Sequence, residues 1–204
     1  TIKGKIGIEN NGDGFNGTIT VRTFENKNGG TIDGDIYMGI WGGSGTISIE
    51  NFNNEGTISG KSRNEKGVHF EGKGNAKVYI QTFRNSGSIE GHGEDSSNGS
   101  KTPRQGVYFQ GNLTINTFEN TGTISGSGQG VWFRGNNKPL HVTLFENTGF
   151  ISGIGTISGS GGNNSFDTDD PRGYYSGGGV VMTGSTIETF KNSGTIKINT
   201  EDSE

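Results

Sequence analysis

The chain contains 204 residues with 40 Gly, no Cys and a hydrophobic share of 26%, and its formal net charge is −4. Acidic and basic residues are scattered along the chain, which argues against a basic stripe for nucleic acid or a polybasic membrane patch. No stretch approaches the roughly 18 consecutive apolar residues of a membrane helix. The lack of Cys excludes a disulfide framework and a thiol site.

Residues 1–17 precede the regular pattern and are predicted to form an incomplete or capping coil. Within them, Ile6 and Ile8 alternate as strand residues do. The Asn-Gly-Asp-Gly stretch at 11–14 resembles one fragment of a calcium-binding nonapeptide. Because a calcium-binding roll needs tandem copies, a plain turn is the favoured interpretation. The first residue is not Met and the pattern is still running at the last ones, so we expect a fragment of a longer chain.

From residue 18, a frame of the form Phe-x-Asn-x-Gly-x-Ile-x-Gly recurs about six times. In its most regular copy, Phe118 and Ile124 share the parity that places side chains on one face of a strand. The Phe positions are Phe24, Phe52, Phe83, Phe118, Phe145 and Phe190. The Asn positions are Asn26, Asn54, Asn85, Asn120, Asn147 and Asn192. The Ile positions are Ile32, Ile58, Ile89, Ile124, Ile151 and Ile196. Repeats with so little apolar content predict an elongated array with a thin shared core.

A second segment of the form Gly-Val-aromatic-Phe follows the frame, as at residues 67–70, 106–109 and 130–133. Each unit therefore offers three short β segments, and no helical period of useful length occurs. Three strands in a unit of about 30 residues, with Gly and Asn at the corners, predict an all-β fold, a right-handed parallel β-helix. We expect one β-helix segment over 1–204 with about six coils. A β-propeller is the alternative, but its blades need four strands joined by hairpins.

Two long insertions, 92–105 and 154–178, follow the Ile segment of their units. Loops that emerge from a rigid scaffold often carry binding sites. A β-helix also tolerates insertions at its corners without any functional reason, so the insertions alone do not indicate a function.

The candidate binding site is an aromatic column between the Val and the Phe of the third segment. Its members are Tyr37, His69, Tyr108 and Trp132. Strand alternation predicts that these rings point outward, and a contiguous exposed ring surface suits a sugar or protein partner. Tyr174 and Tyr175, in the second insertion, are expected to lie near the column. Two alternatives stay open, because the insertions could cover the rings, or the rings could merely stabilise the sheet by stacking.

Catalytic and metal sites have weaker support. The sequence has no Gly-x-Ser-x-Gly elbow and no His-Glu-x-x-His motif. Glu119 and Glu146 take outward positions on successive units and could form a glycosidase pair, but their column also contains Asn and basic residues, as a solvated face does. Asp167, Asp169 and Asp170 could hold calcium, although acidic loop tips are commonly just solubilising. We predict no enzymatic activity, no cofactor and no metal.

The alternation of these frames with Gly-Val-x-Phe segments over residues 18–200 resembles the passenger domains of bacterial autotransporter (type V secreted) adhesins. The resemblance implies a right-handed β-helix at the bacterial cell surface or outside the cell, attached to the membrane only through a separate C-terminal β-barrel. It supplies no invariant binding motif. The partners it implies are a host-cell glycan, an extracellular-matrix protein or a second copy of the same molecule, and no nucleic acid.

Three functions are consistent with these observations. The first is a non-catalytic adhesin module that binds through the aromatic column. The second is a polysaccharide lyase or hydrolase on the same fold, acting through Glu119. The third is a structural stalk that projects a distal domain.

Overall fold

A computed structural model of the chain describes residues 1–10, 14–60, 65–93, 104–155 and 178–200. These residues form 19 β-strands and contain no helix, so none of them provides a helical membrane span. The strands belong to three parallel sheets, here named A, B and C, and the chain visits the sheets in a fixed rotation.

Sheet A holds the Ile segments and has seven strands: β1 (Ile2–Lys3), β4 (Thr31–Asp33), β7 (Thr57–Ser59), β10 (Ser88–Gly91), β13 (Thr123–Gly126), β16 (Phe150–Gly155) and β19 (Thr195–Thr200). Sheet B holds the Val-aromatic-Phe segments and has six: β2 (Ile6–Asn10), β5 (Ile36–Ile40), β8 (Val68–Gly72), β11 (Val107–Gly111), β14 (Gln129–Arg134) and β17 (Gly178–Thr183). Sheet C holds the Phe-x-Asn segments and has six: β3 (Thr18–Asn26), β6 (Thr46–Asn54), β9 (Lys77–Asn85), β12 (Leu113–Asn120), β15 (Leu140–Asn147) and β18 (Ser185–Asn192).

Each strand pairs with the strand three positions earlier and the one three positions later. The register places equivalent residues of the frame side by side, so that Phe118 pairs with Phe83 and with Phe145. In-register parallel sheets that repeat every three strands confirm the prediction of an all-β parallel β-helix. Right-handed winding remains our expectation, because crossovers between parallel strands adopt that hand in nearly all proteins.

The core is built from stacked columns of identical side chains. The Phe column of sheet C has ring centroids 4.6 to 4.9 Å apart from coil to coil. The Phe residues of sheet B form a second stack, with Phe109 lying 5.3 Å from Phe70 and 5.0 Å from Phe133. Rings of the two stacks meet edge to face, as between Phe118 and Phe133 at 6.1 Å, the geometry that ring quadrupoles favour. A thin core thus reaches close packing from few residue types.

The corner between sheets C and A is held by a chain of amides, here called the Asn ladder. Asn120 accepts a hydrogen bond from Asn85 Nδ2 at 2.8 Å and donates through its own Nδ2 to Asn147 Oδ1 at 2.7 Å. The Gly of the frame lets neighbouring corners approach, since a Cβ on Gly122 would run into the carbonyl oxygen of Gly87. The ladder therefore satisfies polar groups at a corner too tight for other side chains.

The two predicted insertions begin at equivalent points of the repeat. Both lie between a strand of sheet A and the following strand of sheet B, after β10 and after β16. Most of 92–105 and of 154–178 lies outside the described residues. Residues 1–10 provide β1 and β2, which pair with β4 and β5 as the first strands of sheets A and B.

Candidate binding face

The four predicted rings form one continuous column on sheet B, here called the ring ladder, in which His69 and Tyr108 are stacked and the other neighbouring rings are tilted or edge-on. Register pairs Tyr37 with His69, His69 with Tyr108, and Tyr108 with Trp132. The ring centroids of these pairs are 5.0, 4.8 and 5.1 Å apart. The ladder lies on the outer side of the sheet, because the residues on either side of each ring in its strand belong to the core cluster and the four rings do not. The structure therefore brings together the four column residues as the sequence pattern predicted.

The rings point outward but are not open to solvent, which agrees with the alternatives in which they are covered or stabilise the sheet. Tyr37, His69, Tyr108 and Trp132 are only 5%, 8%, 4% and 7% exposed. Strand alternation correctly gives the direction in which the side chains point, but it does not report what lies above them. The face is an aromatic layer beneath a layer of other side chains.

Cationic side chains lie over the rings. Lys5 Nζ sits 4.4 Å from the centroid of Tyr37, and Lys66 Nζ sits 5.2 Å from that of Tyr108. The guanidinium carbon of Arg134 is 5.1 Å from the Trp132 ring. Such contacts contribute about 0.5–1 kcal/mol each at exposed sites. The ring ladder is thus covered in part by long, charged side chains.

Trp41 also belongs to this face. It is 49% exposed, its Nε1 donates a hydrogen bond to Tyr37 Oη, and Lys73 Nζ lies 4.6 Å from its ring. The available signal was parity, because Trp41 follows β5 directly and is an even number of residues beyond Tyr37. Trp41 therefore extends the ring ladder at its Tyr37 end with a solvent-exposed ring.

Polar groups are buried between the rings. Tyr37 Oη donates to Glu71 Oε2 at 3.1 Å, and both residues are buried. His69 Nε2 is enclosed without a hydrogen-bond partner and lies 4.0 Å from Glu71 Oε2. Burial, with the charge of Lys66, lowers the pKa of His69 well below its usual range, and a hydrogen bond with Gln110 opposes this shift. His69 is therefore held neutral in the folded protein at neutral pH.

We expect the stability of the protein to fall on acidification because of His69. Its pKa is lower in the folded state than in the unfolded state, so the unfolded state binds the extra proton. The stabilisation is complete above the ordinary histidine pKa and is lost as pH falls below it, by up to about 1.4 kcal/mol per pH unit. Urea titrations between pH 7.5 and 5 should show this slope, and His69→Phe should reduce it. His141→Gln, which removes a half-exposed histidine paired with Glu188, should retain it, and equal slopes in all three proteins would contradict the assignment.

Charged residues at the edge of the ring ladder are also perturbed. Burial raises the pKa of Asp35, helped by the nearby Glu65 carboxylate and opposed by Lys5 and Lys66. Burial lowers the pKa of Lys66, and the charge of Arg104 adds to this effect while Glu71 and Asp35 oppose it. Perturbed groups that converge on one face favour that face as a functional site.

The remaining predicted site residues are not placed by the structure. Tyr174 and Tyr175 lie outside the described residues, as do Asp167, Asp169 and Asp170. Within the described ranges, no three His, Asp or Glu side chains are grouped as they would be around a metal ion.

The carboxylates of Glu119 and Glu146 line a shallow groove on the outside of the Asn corner. The two residues are paired in register on β12 and β15, and the groove beside them has a volume of about 270 Å³. Arg84 Nε donates to Glu119 Oε2 at 2.6 Å. This cross-strand ion pair is of the kind expected on a solvated face, and it occupies the carboxylate that the enzymatic alternative requires.

Comparisons with models of protein families, with curated proteins and with solved structures found no match for this chain.

Proposed function

We propose that this chain is a non-catalytic binding module of a bacterial surface or secreted protein, of the adhesin type. It engages a host glycan or an extracellular-matrix protein through the ring face of sheet B, defined as the ring ladder together with Trp41. The observation that carries the proposal is the continuous outer stack of four rings, extended by one exposed Trp. A rigid β-helix holds such a stack in fixed register.

The ring face differs from the other described outer surfaces in composition. The outer column beside the Asn ladder is made of polar and charged residues, including Arg84, Glu119 and Glu146. Large flat rings with polar neighbours are enriched at recognition sites because they bury much area at low entropic cost. The covering Lys and Arg side chains can rotate without any backbone change, so the rings beneath them can be uncovered.

Truncation of the ring face is expected to abolish adhesion while leaving the fold intact. The test compares Trp41→Ala and Trp132→Ala with Tyr79→Ala, which removes a half-buried ring from the outer side of sheet C. Each ring-face variant should weaken binding to host cells or matrix proteins by at least 10-fold, about 1.4 kcal/mol. The Tyr79 variant should bind as the unmodified protein does. If both ring-face variants have a native circular dichroism spectrum and bind as the unmodified protein does, the ring face is not the binding site. That outcome would favour a structural stalk.

A polysaccharide-cleaving enzyme is the second candidate, and the groove beside Glu119 and Glu146 is the observation in its favour. Retaining glycosidases place two carboxyl groups about 5–5.5 Å apart, a spacing that adjacent coils could supply. The ion pair between Arg84 and Glu119 argues against it. Reducing-sugar release from a glycan panel that is abolished by Glu119→Gln would favour the enzyme, whereas no release by the unmodified protein favours the binding module.

A further inference from the structure

Three cations on the ring face lie over rings and have no acidic partner. In the part of the chain that the structure describes, Lys66, Lys73 and Arg134 form no ion pair with a carboxylate. They lie over Tyr108, Trp41 and Trp132, respectively. Some cations elsewhere do have acidic partners, since Arg84 pairs with Glu119 and Lys27 with Glu25. The ring face thus presents unneutralised positive charge above its aromatic layer.

Lys66 is the most constrained of the three. Its ammonium group is half-buried and contacts the face of Tyr108, and the Arg104 cation acts on it unfavourably. A half-buried ammonium without a hydrogen-bond acceptor is an unfavourable arrangement. An anionic group placed beside the Lys66 ammonium would remove this penalty, so the site favours a negatively charged ligand.

Two acidic residues of this region already accept hydrogen bonds from the protein. Glu71 is buried and accepts the hydrogen bond of Tyr37 Oη. Glu65 Oε2 accepts from the backbone N–H of Asp35 at 3.2 Å. These carboxylates are therefore engaged by the protein itself, and the Glu71 charge acts favourably on Lys66 without forming an ion pair with it.

We propose that the ring face binds an acidic saccharide, a sugar chain with carboxylate or sulfate groups, which draws Lys66, Lys73 and Arg134 away from the rings they cover. This inference rests on the proposed function and names the class of ligand. A charge-assisted hydrogen bond to an acid group is stronger than a cation–π contact at an exposed site, so the exchange is favourable. The outward edges of the rings then become available to the sugars, and the spacing of about 5 Å between rings offers successive sugars successive contacts.

The test measures binding of the 204-residue chain to matched acidic and neutral probes: chondroitin sulfate with desulfated, carboxyl-reduced chondroitin, and sialyllactose with lactose. The cation variant is Lys66→Gln, Lys73→Gln and Arg134→Gln combined. Its control is Lys27→Gln, Lys77→Gln and Lys191→Gln combined, which removes the same charge from exposed positions outside sheet B. Single-stranded DNA serves as a polyanion without sugar-face chemistry of this kind.

At least one acidic probe should bind at least 10-fold more tightly than its neutral partner, and that binding should weaken as salt is raised. The cation variant should lose at least 10-fold in affinity for the acidic probe, about 1.4 kcal/mol, and the control variant less than twofold. Trp41→Ala should also weaken acidic-saccharide binding, because the rings take part.

Three results would overturn the inference. Equal binding of acidic and neutral probes, lost in Trp41→Ala, would leave the proposed function in place but remove the acidic class. Binding of single-stranded DNA as tight as that of the saccharides, with the same loss in the cation variant, would reduce the face to a nonspecific anion site. No binding to any saccharide would exclude this ligand class, and adhesion to matrix proteins by the same preparation would then decide whether the proposed function survives.

Discussion

Replacing Phe118 by Ala is expected to lower the free energy of unfolding by about 3–5 kcal/mol. Phe118 is fully buried and stacks on Phe83 at 4.9 Å and on Phe145 at 4.8 Å. It also meets Phe109 and Phe133 edge to face, each at 6.1 Å. The cavity left by the ring would lie at the centre of both stacks, where in-register strands on either side prevent collapse. The cost should therefore fall in the upper part of the usual range for large-to-small core substitutions.

Phe190→Ala is the matched control, since Phe190 occupies the same column in the last coil. It stacks on Phe145 at 4.6 Å but is 49% exposed. Its loss should cost roughly half as much, because hydrophobic stabilisation scales with the area removed from water. Urea titrations followed by circular dichroism would measure both values. Equal costs would show that the stack does not act as a continuous core, and a changed slope in either variant would indicate that coils unfold separately.

Replacing Asn120 by Asp is expected to cost about 3–5 kcal/mol at pH 7, although the two side chains have nearly the same shape. The amide of Asn120 donates to Asn147 Oδ1 at 2.7 Å and to the Gly122 carbonyl at 3.2 Å. A carboxylate keeps the bond from Asn85 but would place a negative oxygen against both acceptors. Reversal of the other amides would not relieve this, since Asn147 also donates to the carbonyls of Gly149 and Thr195.

Acid should partly rescue this variant. Burial raises the pKa of a carboxyl group at position 120 in the folded state, so the folded state binds the proton more tightly and the variant loses stability as pH rises through that pKa. The protonated acid can again donate a hydrogen bond. Asn192→Asp, at the exposed end of the Asn ladder, should cost far less and show a weaker pH dependence. Urea midpoints at pH 4.5 and 7 for both variants would test this, and equal losses would refute the role of the Asn ladder in the corner.

The architecture could be predicted because the sequence repeats the same frame about six times. Each copy of the frame carries the same Phe, Asn, Gly and Ile, and parallel stacking places equal positions beside each other. The Phe column, the Ile column and the Asn ladder are therefore consequences of spacing alone. The outward direction of the ring ladder followed from the alternation of residues in a strand.

The burial of the ring ladder could not be predicted in this way. Lys5 and Lys66 reach rings in the next coil, and Lys73 reaches the ring of Trp41 in the coil before it. Residues some 30 or more positions apart thus meet, and the direction of a long, unbranched cation is set by its neighbours rather than by its own strand.

The sequence by itself therefore determined the fold, the core columns and the identity of the four stacked rings, because these depend on a period that every coil repeats. Only the tertiary structure decided that the rings lie under cations, that Trp41 extends them, and that His69 and Glu71 are buried between them. These features depend on contacts between side chains of different coils, at positions where the repeat varies. The frame specifies the scaffold, and the departures from it on sheet B define the face to which we assign binding.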